Sequence, residues 1–137
     1  MIDPENVIPV GDDECLARFV THARQFRSSD STVKQDAFIP HPHQELSVTR
    51  HLQAATEEEI WAIGLDVAQG QGKNLYGRAD LIARFCRSQS LRVDATPLNR
   101  NPNHADIAGW PNAKQDQKAI ALKLAASAAF VPIILAT

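Results

Sequence analysis

The hydrophobic positions of the chain recur at a helical spacing in two long stretches. In residues 57–70, apolar side chains return every three or four residues, and Thr56 with Glu59 forms a capping box at the start. In residues 113–130, an alanine-rich apolar stripe follows Asn112, a residue type that suits the N-cap position. We therefore predict a helix over each stretch.

Two further stretches fit a helical spacing less strictly. Residues 12–27 carry an apolar set that lies close to one helical stripe, and we predict a helix there. Residues 79–88 alternate like a strand, but they also fit a helical stripe, and a pair between Asp80 and Arg84 suits a helix. We predict a short helix over residues 79–88 and leave the strand open as the alternative.

Three segments have the pattern of β-strands. Residues 45–51 alternate between apolar and polar side chains, which is typical of a half-buried strand. Residues 91–95 and 104–108 are short and apolar enough to be strands. A strand at 104–108 would place His104 and Asp106 on one face. Together these elements predict an α+β fold with a small sheet, antiparallel or mixed, packed against three or four helices.

The length of the chain limits how many domains it can form. With 137 residues, one hydrophobic core is the simplest arrangement. The first eleven residues contain prolines and acidic side chains. We predict a flexible arm over residues 1–11 and a single globular domain over residues 12–137.

Composition narrows the classes of function. The net charge of −2 gives no general electrostatic attraction to nucleic acid or to an anionic membrane. No apolar stretch is long enough for a signal peptide or a membrane span. The two cysteines, Cys15 and Cys86, match no metal or redox spacing, which favours a reducing compartment. We expect a cytoplasmic protein.

Histidines next to charged residues are the best candidates for catalysis. His51 follows Arg50, and His104 lies two residues before Asp106. Such a set can supply an acid, a base and an anion clamp for phosphoester or glycosidic bond chemistry, because histidine titrates near neutral pH and arginine suits phosphate. The candidate ligand-binding residues are Tyr76, Arg78 and Trp110. For Trp110 the alternative is a core anchor.

Metal and cofactor motifs are weak. His41 and His43 are spaced like paired metal ligands, but Pro42 between them and the lack of a following aspartate favour an exposed loop. The glycines around Lys73 do not form a phosphate loop, because Val67 and Asn74 stand where that motif needs a glycine and a hydroxyl residue. We therefore predict no cofactor and no metal site, with His41 and His43 as the weak candidates for metal ligands.

Two segments resemble short bacterial proteins without an assigned function. They are residues 77–81, with the sequence GRADL, and residues 101–111, with the sequence NPNHADIAGWP. The resemblance extends over about residues 37–132. It implies a bacterial cytosolic accessory protein and carries over no fold, reaction or catalytic residue.

Two function hypotheses follow. The first is a small interaction or regulatory module with a protein partner or a second copy of itself, since no intact catalytic motif is present and the alanine-rich helix and apolar C-terminal end could dock on another chain. The second is a hydrolase or transferase that acts on a phosphate-containing or nucleotide substrate through Arg50, His51, His104 and Asp106. A concave site that holds both His51 and His104 would favour the second. Nucleic-acid binding through the arginines of residues 78–100 is the least favoured, given the negative net charge.

Overall fold

A computed structural model describes residues 7–40, 45–51 and 56–133. Within these residues the chain forms eight strands and three α-helices, and two 3₁₀ turns lie at Ala23–Gln25 and Gln35–Phe38. In chain order the elements are β1 (Cys15–Val20), β2 (Phe26–Arg27), β3 (Thr32–Val33), β4 (Leu46–His51), α1 (Glu57–Gly70), β5 (Gly77–Ile82), α2 (Ala83–Ser88), β6 (Arg92–Ala95), β7 (His104–Ala108), α3 (Lys114–Ser127) and β8 (Ala129–Pro132). The α+β class is confirmed. None of the described helices is both long and apolar enough to cross a membrane.

Six of the strands form one sheet in the order β6-β7-β4-β1-β5-β8, and every described pair is antiparallel. The strands β2 and β3 form a separate two-stranded ribbon. The sheet is thus larger than predicted, and its centre is β1, which pairs with β4 on one side and with β5 on the other.

The two faces of the sheet carry different side chains. Helices α2 and α3 and the second 3₁₀ turn pack on one face, here called the core face, which holds the main hydrophobic cluster. The opposite face, here called the polar face, is covered in part by α1, whose Ile60 packs with Ala17 and Phe19. By strand alternation and register, the polar face also presents Cys15, Ser47, Thr49, His51, Arg78, Asp80, His104 and Asp106.

The predicted helix over residues 12–27 is wrong. This segment forms β1, followed by a 3₁₀ turn and β2. As a central strand, β1 is buried on both sides, with Leu16 and Val20 in the core cluster and Ala17 and Phe19 in the cluster under α1. Burial on both faces removes the alternation of apolar and polar residues, so the apolar run resembles a helical stripe.

Residues 79–88 contain both structures that their pattern allowed. The segment begins within β5, which ends at Ile82, and α2 follows directly from Ala83 to Ser88. The predicted helix is therefore wrong for residues 79–82 and confirmed for residues 83–88. The prediction mixed two adjacent elements because no turn residue separates them.

The last helix is shorter than predicted at both ends. Ala113 occupies the N-cap position of α3 in place of Asn112, and the helix ends at Ser127. Residues Ala129–Pro132 then pair with β5 as an edge strand. Phe130 therefore lies in an edge strand paired with β5, although the composition of the residues before it favours a helix.

Several predicted elements are confirmed. The strands β4, β6 and β7 lie within the segments predicted as strands, residues 45–51, 91–95 and 104–108. The capping box at the start of α1 is also confirmed in its first half, because the Thr56 side chain accepts a hydrogen bond of 3.1 Å from the Glu59 amide.

Candidate functional site

His104 is held in a fixed orientation on β7. Its Nδ1 lies 3.0 Å from the Thr96 carbonyl oxygen and 2.9 Å from Thr96 Oγ1. A carbonyl oxygen only accepts hydrogen bonds, so Nδ1 carries the proton and Nε2 is left to accept one. The Thr96 hydroxyl in turn donates to Asp106 Oδ2 at 3.0 Å. Asp106 Oδ1 lies 3.8 Å from Nε2, where it would form an ion pair with a protonated ring.

A cleft opens beside His104 because two strands separate. The described pairing of β1 with β4 ends at Ala17 and Thr49. Beyond that point no pairing between the two strands is described, and Val67 of α1, with Gln71 and Lys73 after the helix, lines the space. The resulting cleft has a volume of about 150 Å³. It is lined by Arg18, Phe19, Thr21, Gln25, Ser47, Val48, Thr49, Val67, Gln71, Lys73, Asn101 and His104.

The charges in this cleft are positive. Among the described residues that line it, Arg18 and Lys73 are basic and no carboxylate is present, although the chain as a whole has net charge −2. Arg18 is fixed by donating to the Ala37 carbonyl at 2.9 Å and to the Ser47 carbonyl at 3.0 Å. The residue is only half-buried overall, but burial lowers the pKa of its guanidinium to about 10, which leaves it charged at neutral pH.

The floor of the cleft is built from neutral polar groups. The Asn101 side chain donates to Thr49 Oγ1 at 2.9 Å, and its Oδ1 accepts from the Asn103 amide. The C-terminal end of α1 borders the cleft, and its partial negative charge opposes an anion there. Lys73 follows the same end of the helix and more than offsets that partial charge, so the cleft with Arg18 and Lys73 stays positive overall.

A second cluster lies on the polar face around His51. Its Nε2 lies 3.2 Å from Asp80 Oδ1. Arg78 donates from Nε to both oxygens of Asp80, at 3.0 and 3.1 Å, and from its two terminal nitrogens to Glu57 at 2.8 and 2.9 Å. The Arg78 guanidinium also lies 4.7 Å from the centre of the Trp61 ring. Cys15 is the direct cross-strand neighbour of His51.

The ionisable groups of this second cluster are shifted by their surroundings. The bond from Arg78 lowers the pKa of Glu57. Burial disfavours the charge of Arg78, but its bonds to Glu57 and Asp80 outweigh burial, so the pKa of Arg78 is raised. Burial, with a smaller contribution from the charge of Asp80, raises the pKa of the Cys15 thiol to about 11. Cys15 is therefore a thiol at neutral pH.

Arg50, a predicted catalytic residue, lies away from both the cleft beside His104 and the second cluster around His51. Its side chain is on the core face and 1% exposed. Its guanidinium donates to both oxygens of Glu14, at 2.8 and 2.9 Å, and to the carbonyls of Ile8 and Pro9 at 2.8 and 3.3 Å. Because strand residues alternate, Arg50 points away from its neighbour His51. Val10, near the end of the predicted arm, lies in the core cluster beside this ion pair.

The structure brings together only some of the predicted site residues. His51 and His104 share the polar face, but His104 lines the cleft and His51 belongs to the second cluster, together with Arg78. Tyr76 is 37% exposed, with its ring 5.3 Å from that of Phe26. Trp110 is 4% exposed in the core cluster, and its Nε1 donates to the Ile107 carbonyl at 2.9 Å. The candidate metal ligands His41 and His43 lie outside the described residues.

Sequence reasoning missed several residues of the cleft and of the second cluster. Thr96 orients His104 only because β6 and β7 are paired, and Arg18 reaches the cleft only because β1 leaves β4. Cys15 was placed on a helix, which hid its position opposite His51. Each of these contacts joins residues of different strands, and no local pattern encodes it.

Comparison of the chain with models of protein families, with curated proteins and with solved structures found no match in any of the three. The resemblance of residues 77–81 and 101–111 to short bacterial proteins therefore stays a prediction.

Proposed function

We propose that this protein binds a phosphate-containing ligand in the cleft beside His104 and acts on it as a hydrolase or transferase. The observation that carries this proposal is the charge of the cleft. A protein with more acidic than basic residues lines one concave surface, over the residues described, with two cations, one histidine and no carboxylate. A lining with basic side chains and no carboxylate favours an anion, and the Asp106 carboxylate beside His104 is not among the lining residues.

The size of the cleft limits what part of the ligand enters. Pockets that enclose a whole drug-sized ligand have volumes of roughly 300–1,000 Å³. The cleft, at about 150 Å³, is smaller and accommodates a phosphate group with a few adjoining atoms. The rest of a larger ligand, such as a nucleoside, would lie outside it along the polar face.

His104 is suited to proton transfer at the bound group. Since Thr96 fixes the proton on Nδ1, Nε2 can accept a proton from an attacking water or hydroxyl group and return it to the leaving group. Asp106 lies 3.8 Å from Nε2 and would stabilise the imidazolium form. Arg18 and Lys73 would balance the charge on the transferring group. In this proposal Arg50 has a structural role, because its donors face Glu14 and the N-terminal carbonyls.

The alternative of an interaction module receives less support. It relied on the alanine-rich last helix and on the apolar C-terminal end. In the fold Ala121, Leu124 and Ala125 of that helix pack into the core of the same chain, and residues 134–137 lie outside the described residues. The large exposed apolar side chains of the described residues lie on separate elements and include Ile8, Leu65 and Leu98. Scattered exposed residues of this kind are normal on a protein surface.

Isothermal titration with inorganic phosphate and with AMP tests the binding half of the proposal. We expect saturable binding of one ligand per chain that weakens as salt is added. Lys73→Ala should weaken binding at least several-fold, because it removes one of the two cations of the cleft. Lys123→Ala, on the exposed surface of α3, is the matched control and should bind as the unaltered protein does.

Release of inorganic phosphate from a set of nucleoside monophosphates and sugar phosphates, and transfer of phosphate to added alcohols, test the catalytic half. We expect His104→Ala to reduce the rate by about 100-fold or more while binding is retained, since general acid–base groups contribute about 10²–10⁴-fold. His22→Ala, which removes an exposed histidine, should have the unaltered rate. An absence of phosphate binding, or a rate that His104→Ala leaves unchanged, would contradict the proposal.

A further inference from the structure

Three side chains from three adjacent strands converge at the second cluster. His51 on β4 is directly opposite Cys15 on β1, and Asp80 on β5 is opposite Ala17, one same-face position farther along β1. A ring nitrogen of His51, the Cys15 Sγ and one Asp80 oxygen all lie within 4.8 Å of one another. We propose that Cys15, His51 and Asp80 form a binding site for a transition-metal dication of the Zn²⁺ type.

The spacing of the three atoms fits such an ion. Bonds of about 2.0–2.3 Å in tetrahedral geometry place ligand atoms about 3.3–3.8 Å apart. His51 Nε2 and Asp80 Oδ1 are already 3.2 Å apart, and no separation in the cluster exceeds the tetrahedral range by more than about 1.5 Å, which rotation about side-chain χ angles can close. The three ligands belong to paired strands of one sheet, so the backbone holds them in place without a bound ion.

His51 supplies an independent reason to expect a ligand. Its Nε2 is buried and makes no hydrogen bond among the described residues, although Asp80 Oδ1 is only 3.2 Å away. A buried polar nitrogen without a hydrogen-bond partner is rare and energetically costly. Coordination of a cation by the lone pair of Nε2 removes this cost.

The charges around the cluster match a dication. Arg78 lies next to Asp80 and by itself would repel a cation, but it is also bonded to Glu57. The set of Asp80, Glu57 and Arg78 therefore carries one net negative charge, and ionisation of Cys15 on binding makes it two. The proton of the thiol passes to the solvent as the sulfur–metal bond forms. A sulfur, a nitrogen and an oxygen donor select Zn²⁺ or Co²⁺ over Mg²⁺ or Ca²⁺.

The same three residues do not form a nucleophilic triad. In such a triad the carboxylate and the sulfur lie on opposite sides of the imidazole ring, each beside a different nitrogen. Here the Asp80 oxygen and the Cys15 sulfur lie within 4.8 Å of each other, so both are on the same side of the ring. The Cys15 thiol is also protonated at neutral pH, whereas nucleophilic cysteines ionise more readily than free cysteine.

Metal titration of the full-length, chelator-treated protein in a phosphine reductant tests the site. We expect one Zn²⁺ per chain in competition with a chromogenic chelator, and one Co²⁺ with a thiolate-to-metal charge-transfer band in the near ultraviolet. Cys15→Ser, His51→Ala and Asp80→Asn should each weaken Zn²⁺ binding at least about tenfold, because even groups that only support a ligand change affinity by about 10–100-fold.

Matched variants separate this site from the other candidates. The chain has two cysteines, so Cys86→Ala leaves Cys15 as the only thiol, and the charge-transfer band should persist in that variant. The double variant His41→Ala with His43→Ala, and the single variant His104→Ala, should also bind Zn²⁺ with unchanged affinity. The His104 control makes the result independent of the proposed phosphate cleft.

Three outcomes would overturn the proposal. They are the absence of saturable Zn²⁺ binding, binding that Cys15→Ser leaves unchanged, and loss of binding in the variant that lacks His41 and His43. If the substitutions in the cluster prevent folding, the Co²⁺ spectrum of Cys86→Ala decides the question. A charge-transfer band in that variant requires Cys15 as a ligand, and its absence rejects the site.

Discussion

On the core face of the sheet, β1, β4 and β7 present apolar side chains such as Leu16, Leu46 and Ile107, all of which are fully buried. On the polar face the same three strands present Cys15, His51 and His104, which are only partly buried. The one arginine of β4 lies on the core face, and Glu14 and two carbonyl groups bond to it there.

The difference between the faces separates stability from binding chemistry. The core face buries large apolar side chains, and its buried arginine, Arg50, donates hydrogen bonds to Glu14 and to two backbone carbonyls. The polar face keeps titratable groups near solvent, where they can meet a ligand and change protonation. We therefore expect substitutions on the core face to change the free energy of unfolding, and substitutions on the polar face to change binding.

The largest effect on stability is expected from the core contact of α3. Leu124→Ala should lower the free energy of unfolding by about 2–5 kcal/mol, because it leaves a cavity in the main cluster. Urea unfolding monitored by circular dichroism measures the change. Leu122→Ala is the matched control on the same helix, with a leucine that is 58% exposed, and should change the free energy by less than about 0.5 kcal/mol. Equal effects of the two variants would contradict the assignment of the core face.

The next largest effect concerns the buried arginine. Arg50→Ala should lower the free energy of unfolding by about 3 kcal/mol, because it leaves the partly buried Glu14 carboxylate without its cation. Arg84→Ala removes an exposed ion pair with Asp13 and should lose only a small fraction of that. If Arg50 instead served the proposed cleft, Arg50→Ala would abolish phosphate binding in protein that remains folded.

A smaller, pH-dependent effect comes from the same ion pair. Burial disfavours the charge of Glu14, but the bonds from Arg50 and from the Gly11 amide outweigh burial, and the pKa of Glu14 is lowered. A carboxyl with a lowered folded-state pKa contributes stability above its unfolded value, near 4.5, and loses it as the pH falls through the folded value. Urea unfolding at a series of pH values from 7 to 3 should show this loss, and Glu14→Gln should reduce the slope in the acidic range. An unchanged slope in Glu14→Gln would show that other groups dominate acid unfolding.

The sequence by itself determined the α+β class, α1 with its Thr56 cap, and the strands β4, β6 and β7. These elements are amphipathic or bounded by turn residues, so local periodicity and capping chemistry define them. It also placed His104 and Asp106 on one face of a strand, because side chains of a strand alternate.

Only the tertiary structure decided that β1 is a strand and which residues meet in the cleft and in the second cluster. Burial of β1 on two faces erased the alternation that marks a strand, and pairing with β5 took Phe130 into β8. Contacts such as Thr96 to His104 and Cys15 to His51 depend on which strands are neighbours and in which register they pair. Register is set by the packing of the whole sheet against its helices, and it therefore cannot be predicted from a local sequence pattern.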